Sequence, residues 1–166
     1  MRSDFCPGIA FLLRGIPIPQ LGSTIPWCVT MSEFAILTER LELKYSIARW
    51  PLLDFELLGL TVNWGFNFVS DRAKRLTSIS YHTLGEKEAH SCYIKTRNHL
   101  RGLLGEENCG NNSERQYWHH IGVYVTNKIS TGFNPLLRES LTSHCLTVGL
   151  TNELQEEIQK TSGTKR

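Results

Sequence analysis

YWHHIGVYVTN, residues 117–127, sets two histidines side by side, follows them with an apolar run and closes on a turn-forming Thr-Asn. Side chains alternate between the two faces of a strand. Read as one strand, the stretch places His119 with Tyr117, Ile121, Val123 and Val125. His120 then shares the other face with Trp118, Tyr124 and the gap left by Gly122. Neighbours on opposite faces cannot hold one metal ion together, so at most one histidine is a ligand. The roomier, more polar face makes His120 the candidate, and His119 a half-buried packing residue. The stretch becomes a strand at the edge of a core.

Working outward, GEENCGNNSER (105–115) has no apolar periodicity and reads as a loop. LTVNWGFNF (60–68) is the clearest strand: Leu60, Val62, Trp64, Phe66 and Phe68 share one face, Thr61, Asn63, Gly65 and Asn67 the other. Gly65 marks a bulge or a close approach of another chain segment. SDRAKRL is a charged turn. LTSISYHTL (76–84) and HSCYIKT (90–96) read as further strands, and RNHLRGLL (97–104) as a short helix ended by Gly105. Upstream, Phe34, Leu37, Leu41, Tyr45 and Ala48 recur at helical spacing while Leu41, Leu43, Tyr45 and Ile47 alternate as a strand, so 32–47 fits either; the compromise is a helix over 32–40, capped by Ser32, and a strand over 41–47. Downstream, Asn134-Pro135 has the form of a helix start, with Leu137, Leu141, His144 and Val148 on one helical face. Thr151 or Asn152 caps a last helix carrying Leu154 and Ile158. The expected fold is α+β: an antiparallel sheet of about four or five strands with helices packed on one side.

The chain of 166 residues, 40% hydrophobic and 20% charged, has the composition of a folded domain. Its expected organisation is a Pro/Gly-rich, extended N-terminal arm over 1–30, one globular α+β domain over 31–161, and a frayed tail over 162–166. The apolar run GIAFLL is cut by Arg14 after six residues, too short for a secretory core or a membrane span. Arg2, Ser3 and Arg14 fit an organelle presequence, whereas Asp4 and the prolines fit one poorly. Five cysteines, an odd number without a CxxC, read as reduced thiols in a cytoplasmic or nuclear setting.

The net charge of +2 does not argue for nucleic acid, but its distribution points that way. From 72 to 101 the chain carries seven Lys/Arg against two acids, Glu86 and Glu88. Arg72, Lys74 and Arg75 fall in one turn, and Lys95, Arg97 and Arg101 cluster later. Phosphates favour such cations, and unpaired bases favour the interleaved aromatics, although Trp64, Phe66 and Phe68 are assigned to the core. For a metal, zinc above all, His90 and Cys92 form an i, i+2 pair able to chelate from one strand face, with His120 as a further donor. Cys109, in a loop before the histidines, is the cysteine best placed to form a thiolate; His144 and Cys145 diverge on a helix. No GxxxxGK or GxGxxG loop is present.

Two resemblances bear on the site. HIGVYVTN (120–127) resembles the first strand of the glyoxalase-like vicinal oxygen chelate metalloenzymes, which implies a metal on His120. GVYVTNK (122–128) followed by TVGLTNELQEEI (147–158) resembles the GIY-YIG nucleases. Thr147 stands where that family has the YIG tyrosine and Glu157 where it has a catalytic arginine, which implies an inactive copy. The leading expectation is a small, soluble, non-enzymatic binding or accessory protein whose first partner is nucleic acid and second another protein. The alternatives are a metal-dependent or degenerate nuclease-like enzyme centred on His120, and an effector acting through protein contacts.

Overall fold

The first described stretch of the chain is a 3₁₀ helix over Pro7–Arg14, followed by the strands β1 (Ile16–Ile18) and β2 (Ser23–Ile25), which form a small hairpin. The computed structural model describes residues 6–69, 73–107 and 112–163. From Cys6 on, the N-terminal segment packs into the core rather than running extended. Ile9, Leu12, Ile16, Ile18 and Ile25 belong to the same buried cluster as the main sheet, and the Trp27 indole Nε1–H donates to the Leu12 carbonyl at 2.6 Å. Leu12 and Trp27 are buried as an amphipathic segment requires, whereas Phe11 and Leu13 face solvent.

The chain continues through α1 (Met31–Leu37), β3 (Lys44–Tyr45), β4 (Pro51–Leu57), β5 (Leu60–Phe68), β6 (Leu76–Leu84), α2 (Glu86–Leu104), β7 (Arg115–His120), β8 (Val123–Asn134), β9 (Glu139–Leu150) and α3 (Asn152–Gly163). β3 to β9 form one sheet in the order β3-β4-β5-β6-β9-β8-β7, each neighbouring pair antiparallel. The α+β class holds, but the main sheet has seven strands rather than four or five. Besides β4, a strand over Pro51–Leu57 where none was expected, three segments account for the difference.

Residues 90–96 lie inside α2, not in a strand. Ala89, Tyr93, Thr96 and Leu100 are its buried residues, a 4-3-4 spacing that runs through the boundary drawn at Arg97. Glu86 and Glu88 in the first turn and Arg101 in the last suit the helix dipole. Residues 139–150 form β9 rather than a helix. Thr142, His144, Leu146, Val148 and Leu150 are buried with a period of two, and the β-branched content favours the pleat. Asn134 does cap, but it caps a turn: its Oδ1 accepts from the backbone N–H of Leu136 at 2.9 Å and of Leu137 at 3.3 Å. The third segment is 117–127, a hairpin rather than one strand, in which Ile121 and Gly122 form the turn between β7 and β8.

Elsewhere the periodicities hold. β5 and β6 occupy the expected 60–68 and 76–84. The irregularity in β5 lies at Asn67/Phe68, not at Gly65, where a Cβ would stand 3.2 Å from Leu52 Cδ2. α1 is capped by Thr30 rather than Ser32, through a reciprocal box with Glu33. The strand expected over 41–47 shortens to the two residues of β3.

The sheet has two unlike faces. The inner face presents Phe55, Trp64, Phe66, Ile79, Trp118, Val125 and Val148, all essentially buried. Phe34 of α1 lies 4.8 Å from Phe66 and 5.3 Å from Phe68, and α2 and the N-terminal 3₁₀ helix cover the β7-β8-β9 part. The opposite face is polar and carries Asn63, Asn67, Ser78, Ser80, His82, Cys145, Thr147, Thr126 and Lys128. Among the described residues no helix is long and apolar enough to cross a membrane.

Gly15 tests the N-terminal packing. Its φ of 127° suits glycine, and a Cβ there would stand 2.1 Å from the Ile25 carbonyl oxygen. Gly15→Ala is expected to lower the unfolding free energy by about 3 kcal/mol, because both backbone strain and a clash with fixed backbone must be relieved. Urea denaturation checks this; an unchanged midpoint would mean that residues 6–28 contribute little to the core.

Candidate binding face

The turn at Ile121 and Gly122 decides where the histidines point. Opposed residues of an antiparallel pair share a face. His119 is opposed to Tyr124, and His120 to Val123. His119 therefore stands on the open face with Tyr117 and Tyr124, and His120 on the inner face with Trp118, Val123 and Val125, the reverse of the one-strand reading. Gly122 takes φ 87° in this turn, and a Cβ there would meet Leu154 of α3 at 2.5 Å.

The expected metal set is not assembled. His90 and Cys92 lie on α2, where residues two apart point about 200° from each other round the axis. Among the described residues no group of three or more His, Cys, Asp or Glu stands close enough to hold a metal ion. Cys109 lies outside the described residues.

The basic residues fall on two elements. Arg72 lies outside the described residues. Lys74 is exposed in the β5–β6 turn, and Arg75 beside it donates from Nη1 to the Cys28 carbonyl at 3.3 Å. Lys95, Arg97 and Arg101 belong to α2. Arg101 grips the buried carboxylate of Glu107 with two bonds, Nε to Oε1 at 2.7 Å and Nη2 to Oε2 at 3.0 Å, so its role is structural.

The open face instead carries a cleft of about 490 Å³ between the β7-β8-β9 strands and the start of α3. Arg115, Tyr117, His119, Tyr124, Thr126 and Thr147 come from the sheet, and Thr151, Asn152, Glu153 and Gln155 form the wall. The rings lie nearly parallel. Tyr117 is 5.6 Å from Tyr124 and 6.2 Å from His119, with interplanar angles of 15° in both pairs. The Arg115 guanidinium lies 5.3 Å from the centre of the Tyr117 ring. Lys128 is opposed to Arg115 and lies on the same face. Tyr124 can lie across the sheet because its partner is Gly149, where a Cβ would stand 2.9 Å from the Tyr124 hydroxyl oxygen. Burial pushes the Tyr124 phenol up. Glu153 is held below the usual carboxylate range by its own backbone N–H and the Thr151 hydroxyl, with His119 adding to this. The wall thus carries a carboxylate and the floor near-parallel aromatic rings.

Farther along the same face Cys145 Sγ lies 3.7 Å from His82 Nε2 and 3.3 Å from Thr147 Oγ1. Burial raises the Cys145 thiol and lowers His82, so the pair rests as thiol and neutral imidazole rather than as an activated nucleophile.

Behind this face a buried polar cluster ties β7, β8 and β9 to α2. Asn127 Nδ2 donates to Gln116 Oε1 at 2.9 Å and to the Tyr93 carbonyl at 3.1 Å. Gln116 Nε2 donates to the Tyr93 hydroxyl, which itself donates to the Ser113 carbonyl at 2.9 Å. Both protons of the Asn127 amide are therefore committed. Its Oδ1, 2.6 Å from His144 Nε2, must accept, which places the imidazole proton on Nε2. His144 Nδ1 is buried without a partner.

The face could have been found from the sequence by one signal, a Gly-containing two-residue turn inside an alternating run. It would have paired Tyr124 with His119 and brought Arg115, Tyr117 and Lys128 to the same side. Comparison with protein-family models, with curated proteins and with solved structures finds no match to this chain.

The His144 cluster makes stability depend on pH. Burial, with the nearby His82 charge second, pushes the imidazole down to about 4. Above pH 6.5 both folded and unfolded states are neutral at this site. Between pH 6.5 and 4 the unfolded chain takes a proton that the folded one refuses, so stability falls with falling pH, by about 3 kcal/mol in all, and levels off below 4. His82, lowered by burial, acts in the same direction. Urea unfolding at pH 7, 5.5 and 4.5 should show this loss, with a shallower slope in His144→Gln; equal slopes would mean that His144 is protonated as freely in the folded chain.

Proposed function

We propose that this protein is a non-enzymatic binding module that takes single-stranded nucleic acid on the open face of its sheet. The observation that carries the reading is the near-parallel array of Tyr117, Tyr124 and His119 with the Arg115 guanidinium over Tyr117. Unpaired bases stack on such surfaces, and every base has a π-face. Arg115 and Lys128 stand beside the rings for the phosphates. The neutral state of the Cys145–His82 pair favours binding over nucleophilic chemistry. The enzyme reading centred on His120 has its histidine on the inner face, opposed to Val123.

A protein partner is the second reading, favoured by the tip of the β8–β9 hairpin. Phe133, Leu136 and Leu137 are 67%, 91% and 60% exposed there, on a turn ordered by the Asn134 side chain.

Fluorescence anisotropy with a labelled single-stranded octanucleotide tests the first reading. Tyr117→Ala should weaken binding about tenfold or more, the worth of one stacked base. With two phosphates neutralised, the slope of log K against log salt should be about −1.4, and it should flatten in the double variant Arg115→Ala, Lys128→Ala. Absence of binding, or binding untouched by Tyr117→Ala but lost in Lys95→Ala, Arg97→Ala, would reject the open face.

A further inference from the structure

A second cleft, of about 410 Å³, lies on the same face at the other side of the sheet, between β4, β5 and β6. Trp50, Asn63, Asn67, Ser80 and His82 line it, and its floor is Gly65, the glycine in the middle of β5. Any side chain at 65 would project into this space, its Cβ within 3.2 Å of Leu52 Cδ2 and 3.5 Å of the Ser80 carbonyl oxygen. Trp50 is half-buried and lies parallel to Phe68, with ring centres 6.2 Å apart, so its plane is fixed. Most polar atoms here are already engaged. Asn67 Nδ2 donates to Ser78 Oγ at 3.2 Å and Ser80 Oγ at 3.0 Å, and His82 Nε2 is 3.0 Å from Ser80 Oγ. Asn63 Oδ1 is the exception: it is buried and has no hydrogen-bond partner. A carbonyl oxygen left so costs free energy unless a donor arrives from outside the chain.

The two clefts lie side by side on one face of the sheet. The first is built on β7, β8 and β9, the second on β4, β5 and β6, and β9 pairs with β6. Between them lies the contact of Cys145 with His82, at 3.7 Å. From β8 to β5 is three strand spacings, about 15 Å. A ligand filling both must be a chain, with one flat unit against Tyr117 and Tyr124 and another, carrying an N–H donor, at Trp50 and Asn63.

We infer that the cleft at Trp50, Asn63 and Gly65 is a second base subsite, so that the ligand is a single strand of several nucleotides lying across the strands of the sheet, not a mononucleotide. The inference rests on the reading of the Tyr117 cleft given above. It assigns Asn63 Oδ1 as the acceptor for a base N–H, as in the amino groups of adenine, cytosine and guanine. The imino N3–H of uracil or thymine can serve in the same way.

The test is a length series of labelled single strands from two to ten nucleotides, measured by anisotropy, with Trp emission recorded in parallel. Trp64 and Trp118 are fully buried and Trp27 nearly so, which leaves Trp50 as the ring most open to a ligand. Affinity should rise about tenfold once the strand exceeds about four nucleotides, with a change in Trp emission at the same length. Trp50→Ala and Asn63→Ala should each remove that gain and leave dinucleotide binding as in the wild type; Asn63→Ala serves where loss of the Trp50–Phe68 stacking disturbs folding. Length-independent affinity, or a gain unaffected in Asn63→Ala, would overturn the second subsite while leaving the first in place. Failure of the wild type to bind a strand of any length would overturn both.

Discussion

The pairing of β9 against β6 holds the two halves of the sheet together. β3 to β6 form one antiparallel meander and β7 to β9 another, and the seven pairs from Ser78↔Gly149 to Leu84↔Ser143 are where they join. The register of this seam settles both faces at once. It sends His144, Leu146 and Val148 inward beside Ile79, and Cys145 and Thr147 outward beside His82 and Ser80. A slip by one residue would exchange the two sets, exposing Leu146 and Val148 and burying a thiol and a hydroxyl. The apolar inner set therefore specifies the polar outer set, and the open face exists in its present form because the core would not tolerate the other register.

The inner face is not uniformly apolar, and its polar members have a definable effect. His144, Asn127, Gln116 and Tyr93 lie where β7, β8, β9 and α2 meet. A greasy interface of the same size would let α2 slide along the sheet. Here Asn127 can satisfy its donors only when the Tyr93 carbonyl and Gln116 are both in place, so the helix has one position. The ring stack on the other side of β7 and β8 stands on the same two strands, and its geometry inherits this rigidity.

The sequence disclosed some of this and concealed the rest for physical reasons. β5 and β6 were legible to their limits because large side chains alternate there with small polar ones, and no helical stripe competes. α3 was legible because it begins at Asn152, where a cap at Thr151 or Asn152 was expected, and Leu154 and Ile158 recur at helical spacing. β9 was not, because Leu137, Leu141, His144 and Val148 match a helical stripe while Thr142, His144, Leu146 and Val148 match a strand, and Asn134-Pro135 serves a helix start or a hairpin turn equally well. α2 was cut in two because Cys92 and Ile94 alternate locally with polar neighbours inside a longer 4-3-4 stripe. At the histidines the error was one of phase. A two-residue turn returns the chain, so counting odd and even positions straight through Ile121 and Gly122 assigns His119 and His120 to the wrong sides, and the histidine on the open face is mistaken for the packed one.

The small net charge fits the face that results. A protein that gripped nucleic acid mainly through phosphates would need many cations, and here Arg75 and Arg101 are spent on the fold. What the face offers instead is flatness, and glycine creates it twice. Gly149 lets Tyr124 lie down across β9, and Gly65 leaves a hollow in front of Trp50. Both sites lack a side chain exactly where an aromatic ring or a base would need the room, and both stand on inner strands whose pairing on each side prevents the backbone from moving to fill the gap.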